Sequence, residues 1–134
     1  MEINDLTKEI IGAAIQVHKV LGPGLLESAY RTCLVHELRK RGLRVEAERA
    51  IPLVYDQIKI EAAYRVDLVV EESVLVEVKA VQKLEEIHQA QLLTYLRLSR
   101  TSVGLLINFN VPVLRAGVHR VVNGFKERLV ARPD

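Results

Sequence analysis

The sequence predicts a mixed fold of the α/β (α+β) kind, with a central mixed sheet flanked by helices, on three observations. Apolar residues recur at helical spacing in two stretches at the start of the chain. From residue 43 to about 81 the period drops to two. A third helical stretch then leads into a short, wholly apolar segment. At 134 residues the chain has the size of one domain, covering residues 1–134.

The first helix is marked by Leu6, Ile10, Ala13, Val17 and Leu21, spaced three and four apart, with Asn4 or Asp5 available as N-cap and "GPG" at 22–24 as the stop. The second begins after Gly24. It carries Leu26, Ala29 or Tyr30, Cys33, Leu34 and Leu38 on one stripe and ends at Gly42, where Arg39, Lys40 and Arg41 suit the negative end of the helix. "LRVEAERA" (43–50), "IPLVYD" (51–56), "AYRVDLVV" (63–70) and "VLVEVKAV" (74–81) read as successive strands, the last two forming a hairpin around Glu71, Glu72 and Ser73. Pro52 has no N–H to give a ladder, so its strand should be an edge strand or begin there. A third helix is expected from about Leu84 to Ser99 with Ile87, Ala90, Leu92 or Leu93, and Leu96 inward. "SVGLLINF" (102–109) reads as a strand buried on both faces and "GVHRVV" (117–122) as a short final one.

An apolar fraction of 49% and a charged fraction of 27% are those of an ordinary globular chain and exclude disorder except at the last few residues. The net charge of +2, from 19 basic and 17 acidic side chains, neither demands nor excludes a polyanionic partner. Arg39, Lys40, Arg41 and Arg44 form a local basic cluster, and Arg97, Arg100, Arg115 and Arg120 are scattered. All eight are candidates for phosphate contacts, or else solubilising charge at element ends. The single cysteine, Cys33, has no partner for an internal disulfide and sits at a core position, consistent with a reducing compartment. The start "MEINDLTKEI" is acidic and polar, and no apolar run approaches ~18 residues, so a cytoplasmic protein without a membrane span is expected.

Charge then turns up where core is due. In "LVEVKAVQKLEE" the valines Val76 and Val78 share one face of a strand, and Glu77 and Lys79 share the other. A second lone acid, Asp67, lies on the preceding strand with nine residues between it and Glu77. If Val70 pairs with Val74, Asp67 lies directly opposite Glu77; a register two residues out puts it opposite Lys79 instead. Either odd loop keeps the three on one face. Carboxylates opposed on neighbouring strands repel unless something positive lies between them, and Mg²⁺, which accepts one or two carboxylates and completes its shell with water and phosphate oxygens, answers that better than Lys79 alone. The competing reading is an Asp/Glu/Lys network that only holds the hairpin together. Glu27 in the first turn of the second helix has Tyr30 three residues on and so on its face. His88, Gln91 and Tyr95, spaced three and four, make a polar stripe on the third helix.

Taken in order, Asp67, Glu77-Val78-Lys79 and Gln91-x-x-x-Tyr95 resemble the signature of the PD-(D/E)xK nuclease superfamily with its QxxxY extension. Gly24-x-x-Glu27-x-x-Tyr30, preceded by "VHKVLGPG" and followed by "GLLINFN", resembles the small bacterial GxxExxY family placed in that superfamily. The resemblance runs from about Ile10 to Phe125, with Val66 standing where the superfamily's name has proline. It implies a Mg²⁺- or Mn²⁺-dependent nuclease acting on DNA, with Glu27, Asp67, Glu77 and the Val78 carbonyl around the metal, and with Lys79 as the catalytic lysine beside Glu27, Asp67 and Glu77. Tyr30, His88, Gln91 and Tyr95 would serve the substrate or support the ligands. A nucleic-acid partner follows from this, and a chain of this size suggests a homodimer or a larger protein partner for gripping a long substrate. The alternative is a non-catalytic member of the same fold that binds nucleic acid or protein.

Overall fold

The structure is a computed structural model and describes residues 1–124; Phe125, the far limit of the resemblance, lies outside them. Helix α1 (Ile3–Leu21) and helix α2 (Glu27–Lys40) precede strands β1 (Val45–Tyr55), β2 (Ile58–Val70) and β3 (Val74–Lys79). Helix α3 (Glu86–Ser99) crosses over to β4 (Val103–Asn108), and a 3-10 turn (Leu114–Gly117) leads into β5 (Val118–Val122). The five strands lie in chain order, β1-β2-β3-β4-β5. Every pair is antiparallel except β3 with β4, whose parallel pairing requires the α3 crossover.

The apolar stripe of α1 buries Leu6, Ile10, Ala13 and Val17 as the spacing requires, and α2 adds Tyr30, Leu34 and Leu38. These pack on the sheet face of Leu68, Val70, Val74, Val76, Val78, Leu105 and Ile107. The opposite face, with Ile51, Val66, Val69, Leu75 and Leu106, is covered by Leu92, Tyr95 and Leu96 of α3. Strand β4 is buried throughout, which explains its unbroken apolar run. Among the described residues no helix is long and apolar enough to cross a membrane.

Several expectations are corrected. The N-cap of α1 is Glu2, so Asn4 and Asp5 lie inside the first turn, where Asp5 complements the helix dipole. Leu26 is the N-cap of α2 rather than part of its stripe, and its side chain is exposed. The two strands expected over 43–56 are one edge strand, β1. Pro52 falls where the β1–β2 register shifts between Ile51 and Leu53, so its missing N–H coincides with a gap in the ladder. β2 begins five residues earlier than expected, and beyond the shift the two strands continue as a ribbon with Tyr55 and Ile58 exposed at its tip. In α3 the buried residues are Leu92, Tyr95 and Leu96. Ile87 and Ala90, expected inward, are exposed, and no residue of the helix before Leu92 is buried.

Candidate active site

The β2–β3 hairpin turns through Glu71, Glu72 and Ser73 with Val70 opposite Val74, Val69 opposite Leu75 and Leu68 opposite Val76. One step further this register sets Asp67 opposite Glu77. There the backbone ladder gives way to side chains. The Asp67 N–H donates to Glu77 Oε1 at 3.0 Å, and the Val78 N–H donates to Asp67 Oδ2 at 2.8 Å. Each carboxylate thus takes the place of a strand carbonyl, which fixes its orientation and buries it: Asp67 is 8% and Glu77 3% exposed.

The alternation of β2 breaks at this point. Leu68 and Val70 face the helices α1 and α2, yet Tyr64 and Val66 belong to the α3 side. On β1 the pairs Ala47–Leu68 and Arg49–Val66 leave out Glu48 and Asp67, and Glu48 has φ of 55°, a left-handed conformation uncommon for a non-glycine residue inside a strand. The break lets Asp67 be reached from both sides. Arg31 of α2 donates to Asp67 Oδ1 across 3.4 Å, while Glu77 stands with Tyr64, whose hydroxyl donates to Glu77 Oε2 at 3.0 Å. Strict period-two reasoning, which put Asp67, Glu77 and Lys79 on one face, therefore misses that Asp67 faces α2 as well.

Burial first, and then the charge of Asp67, push the Glu77 carboxyl up to about 7. Burial also raises Asp67, against the Val78 N–H and the charges of Arg31 and Lys79, which hold it down. Tyr64 is raised by burial and by the Glu77 charge. Lys79, half-buried at the end of β3, acts on both carboxyls. Two desolvated carboxyls held against each other favour a cation, and their hard oxygen donors match Mg²⁺ or Mn²⁺.

The other candidates are dispersed. Glu27 is half-buried in the first turn of α2, and among the described residues no three of His, Cys, Asp and Glu are grouped to hold a metal ion, so it does not join Asp67 and Glu77. The side chain that α2 does send to Asp67 is Arg31, one turn further on. Tyr30 is fully buried and therefore cannot touch a substrate. It stacks on Phe109 at 4.7 Å, donates to the Gly22 carbonyl at 2.6 Å and accepts from Leu25 N–H at 3.1 Å, pinning the loop that precedes Glu27. Gly22 and Gly24, with φ of 69° and 100°, supply the left-handed turns that loop needs. The stripe on α3 divides. His88 Nδ1 accepts from Glu85 N–H and caps the helix, Gln91 is exposed, and Tyr95 alone turns inward, stacked on Tyr64 with centroids 4.0 Å apart. Of the basic cluster, Arg39 donates to the Val45 carbonyl, Arg41 pairs with Glu9 and Glu37, Lys40 with Glu37 and Arg44 with Glu71. All four are engaged within the chain, a role beyond the solubilising charge weighed against phosphate binding.

Arg31 and Tyr64 are the site residues that sequence reasoning passed over. Arg31 stands one turn after Glu27, but Tyr64, three residues from Asp67, lies on the opposite face by strict alternation and carried no signal.

The end of β3 is held from below. Phe109 N–H donates to the Lys79 carbonyl at 2.9 Å. The buried Asn108 side chain donates to the Val81 carbonyl at 2.9 Å and accepts from Val81 N–H at 3.0 Å and Asn110 N–H at 3.1 Å. A Cβ at residue 117 would collide with the Asn108 carbonyl oxygen, so only Gly117 lets the 3-10 turn close against this clamp.

A family model described as the PD-(D/E)XK nuclease superfamily matches residues 4–121, and the chain belongs to that superfamily. The mixed sheet flanked by helices agrees with its nuclease-like fold. Comparison with curated proteins and with solved structures finds no match.

Proposed function

We propose that the protein is a Mg²⁺- or Mn²⁺-dependent nuclease that hydrolyses phosphodiester bonds in DNA. The observation that carries the reading is the pair of buried carboxylates, Asp67 and Glu77, locked face to face by each other's strands with Lys79 two residues on. Superfamily membership supports hydrolysis of a nucleic acid. Asp67 and Glu77 would hold the metal, with the Val78 carbonyl as a further ligand to be tested. The metal, when bound, polarises the phosphodiester and lowers the pKa of a water nucleophile. Tyr64 holds Glu77 in its rotamer. Lys79 stabilises the charge that develops on the phosphate. Gln91, exposed on α3, and His88 would contact the substrate. Assignment to the GxxExxY branch rests on Gly24, Glu27 and Tyr30, and gains support from the hydrogen bonds by which Tyr30 fixes that turn. The lone thiol Cys33 favours a cytoplasmic setting.

The test is cleavage of labelled linear, circular and branched DNA, and of RNA, with Mg²⁺ or Mn²⁺ against an EDTA control. Glu77→Ala should lose both cleavage and metal binding, whereas Lys79→Ala should lose cleavage and keep the metal. Cleavage unchanged in Glu77→Ala would place the activity elsewhere. A parent that cleaves nothing yet retains nucleic acid or a protein partner would instead be a binding module on this fold.

A further inference from the structure

The oxygens of the carboxylate pair differ in what holds them. Glu77 Oε1 and Asp67 Oδ2 take backbone N–H groups of neighbouring strands, and Glu77 Oε2 takes the phenol of Tyr64. These donors are part of the sheet or stacked upon it and cannot leave. Asp67 Oδ1 is different, because its partner is the guanidinium of Arg31, reaching from α2 at 3.4 Å on a side chain that is 24% exposed. That distance is long for a charge-assisted bond, so the contact is weak by geometry. A second acceptor waits beside it: Glu48 Oε1 lies 4.0 Å from Arg31 Nη2. Glu48 is the residue whose backbone is held at φ of 55°, at the point of β1 that faces Asp67. A non-glycine residue kept there costs conformational energy, and here its carboxylate ends beside the guanidinium.

We propose that Arg31 is a positioning residue that exchanges partners with the metal: it holds Asp67 Oδ1 in the metal-free protein and passes to Glu48 when a divalent cation takes that oxygen. The inference rests on the metal-dependent reading above and adds to it. A cation approaching Asp67 meets one oxygen with a displaceable partner, and that partner already carries a positive charge. Without somewhere to go, Arg31 would repel the ion from a few ångströms away. Glu48 gives it a destination that keeps the guanidinium at the mouth of the site and paired.

The experiment measures Mn²⁺ affinity by titration calorimetry on the intact protein in the absence of nucleic acid, for the parent, Arg31→Gln, Glu48→Gln and the double variant. Arg31→Ala is added in case the glutamine substitutes as a donor. Removing the competing charge should tighten Mn²⁺ binding roughly fivefold in Arg31→Gln, the factor expected for a modest ion pair. Glu48→Gln should weaken binding by a similar factor, because Arg31 then has only Asp67 to hold. In the Arg31→Gln background the Glu48 substitution should lose most of its effect, and this coupling is the signature of exchange. A merely structural ion pair would lower the melting temperature of Arg31→Gln and leave its Mn²⁺ affinity alone. Unchanged or weaker binding in Arg31→Gln and Arg31→Ala, or an equal Glu48→Gln effect in both backgrounds, overturns the exchange while the metal site stands. A parent that binds no Mn²⁺ overturns both together.

Discussion

The two faces of the sheet are built for different purposes. Toward α1 and α2, the valines and leucines of β2, β3 and β4 meet Ile10, Ala13, Ala14, Leu34, Leu38 and Phe109 in an apolar layer, while Arg31 of α2 reaches Asp67. Toward α3, a smaller set of Ile51, Val69, Leu75, Leu106, Leu92 and Leu96 gives way to Tyr64, Tyr95 and Glu77. The difference teaches where a protein can keep a buried charge. An apolar layer imposes the full desolvation cost on an unpaired charge, so Asp67 is met by Arg31 on one side and Glu77 by Tyr64 on the other. One strand, β3, serves both: Val76 and Val78 anchor it in the thick layer, so Glu77 and Lys79 between and beyond them are held rigidly in the thin one.

The largest effect should come from breaking the thick face. Leu34→Ala removes a fully buried side chain of α2 and should cost about 2–5 kcal/mol in urea unfolding, without altering the Mn²⁺ affinity of the molecules that remain folded. A variant that unfolds no more easily would show that the layer tolerates the cavity by collapse.

The next effect is electrostatic and belongs to the thin face. The Glu77 carboxyl lies at about 7 in the folded protein, above its ordinary 4.5, so between those values the folded chain binds more protons than the unfolded one. Its contribution to stability is therefore complete below 4.5 and is lost as pH rises through 7. Melting curves of the metal-free protein should show that fall, and Glu77→Gln should flatten it. A parent and variant with parallel profiles would mean that the carboxyl is not perturbed in the fold.

Tyr64→Phe should have the smallest effect and sharpen the contrast. It leaves the stacking on Tyr95 in place and deletes only the hydroxyl on Glu77, costing about 1 kcal/mol. Because that bond holds the Glu77 carboxyl down, its loss should move the pH-dependent fall of stability to higher pH. A shift to lower pH would contradict the assigned donor.

Much of this was readable in the chain. The α1 stripe and the buried β4 follow from periodicity, because each depends on which face a residue occupies, whereas the hairpin register was open between Glu77 and Lys79 opposite Asp67 and only the pairing of Val70 with Val74 decides it. What periodicity cannot carry is a place where it stops. The break at Glu48 and Asp67 hid Tyr64 and Arg31, since one shifted to the α3 side and the other arrived from α2. The inward face of α3 was misjudged at Ile87 and Ala90 because an apolar residue is buried only if another element packs on it, and helical spacing does not say which turns are covered. Tyr30 and Glu27 share a helix face as their spacing says, but one went into the core and pinned a turn.

Gly117 and Asn108 are separated from the acids in sequence and touch neither of them, yet the loop beyond Lys79 hangs on both. In a random-mutation screen for lost activity, changes at these two positions should be recovered beside changes at Asp67, Glu77 and Lys79. Such a screen would draw a map of the site larger than its chemistry, with its outer boundary at a glycine whose only contribution is the absence of a side chain.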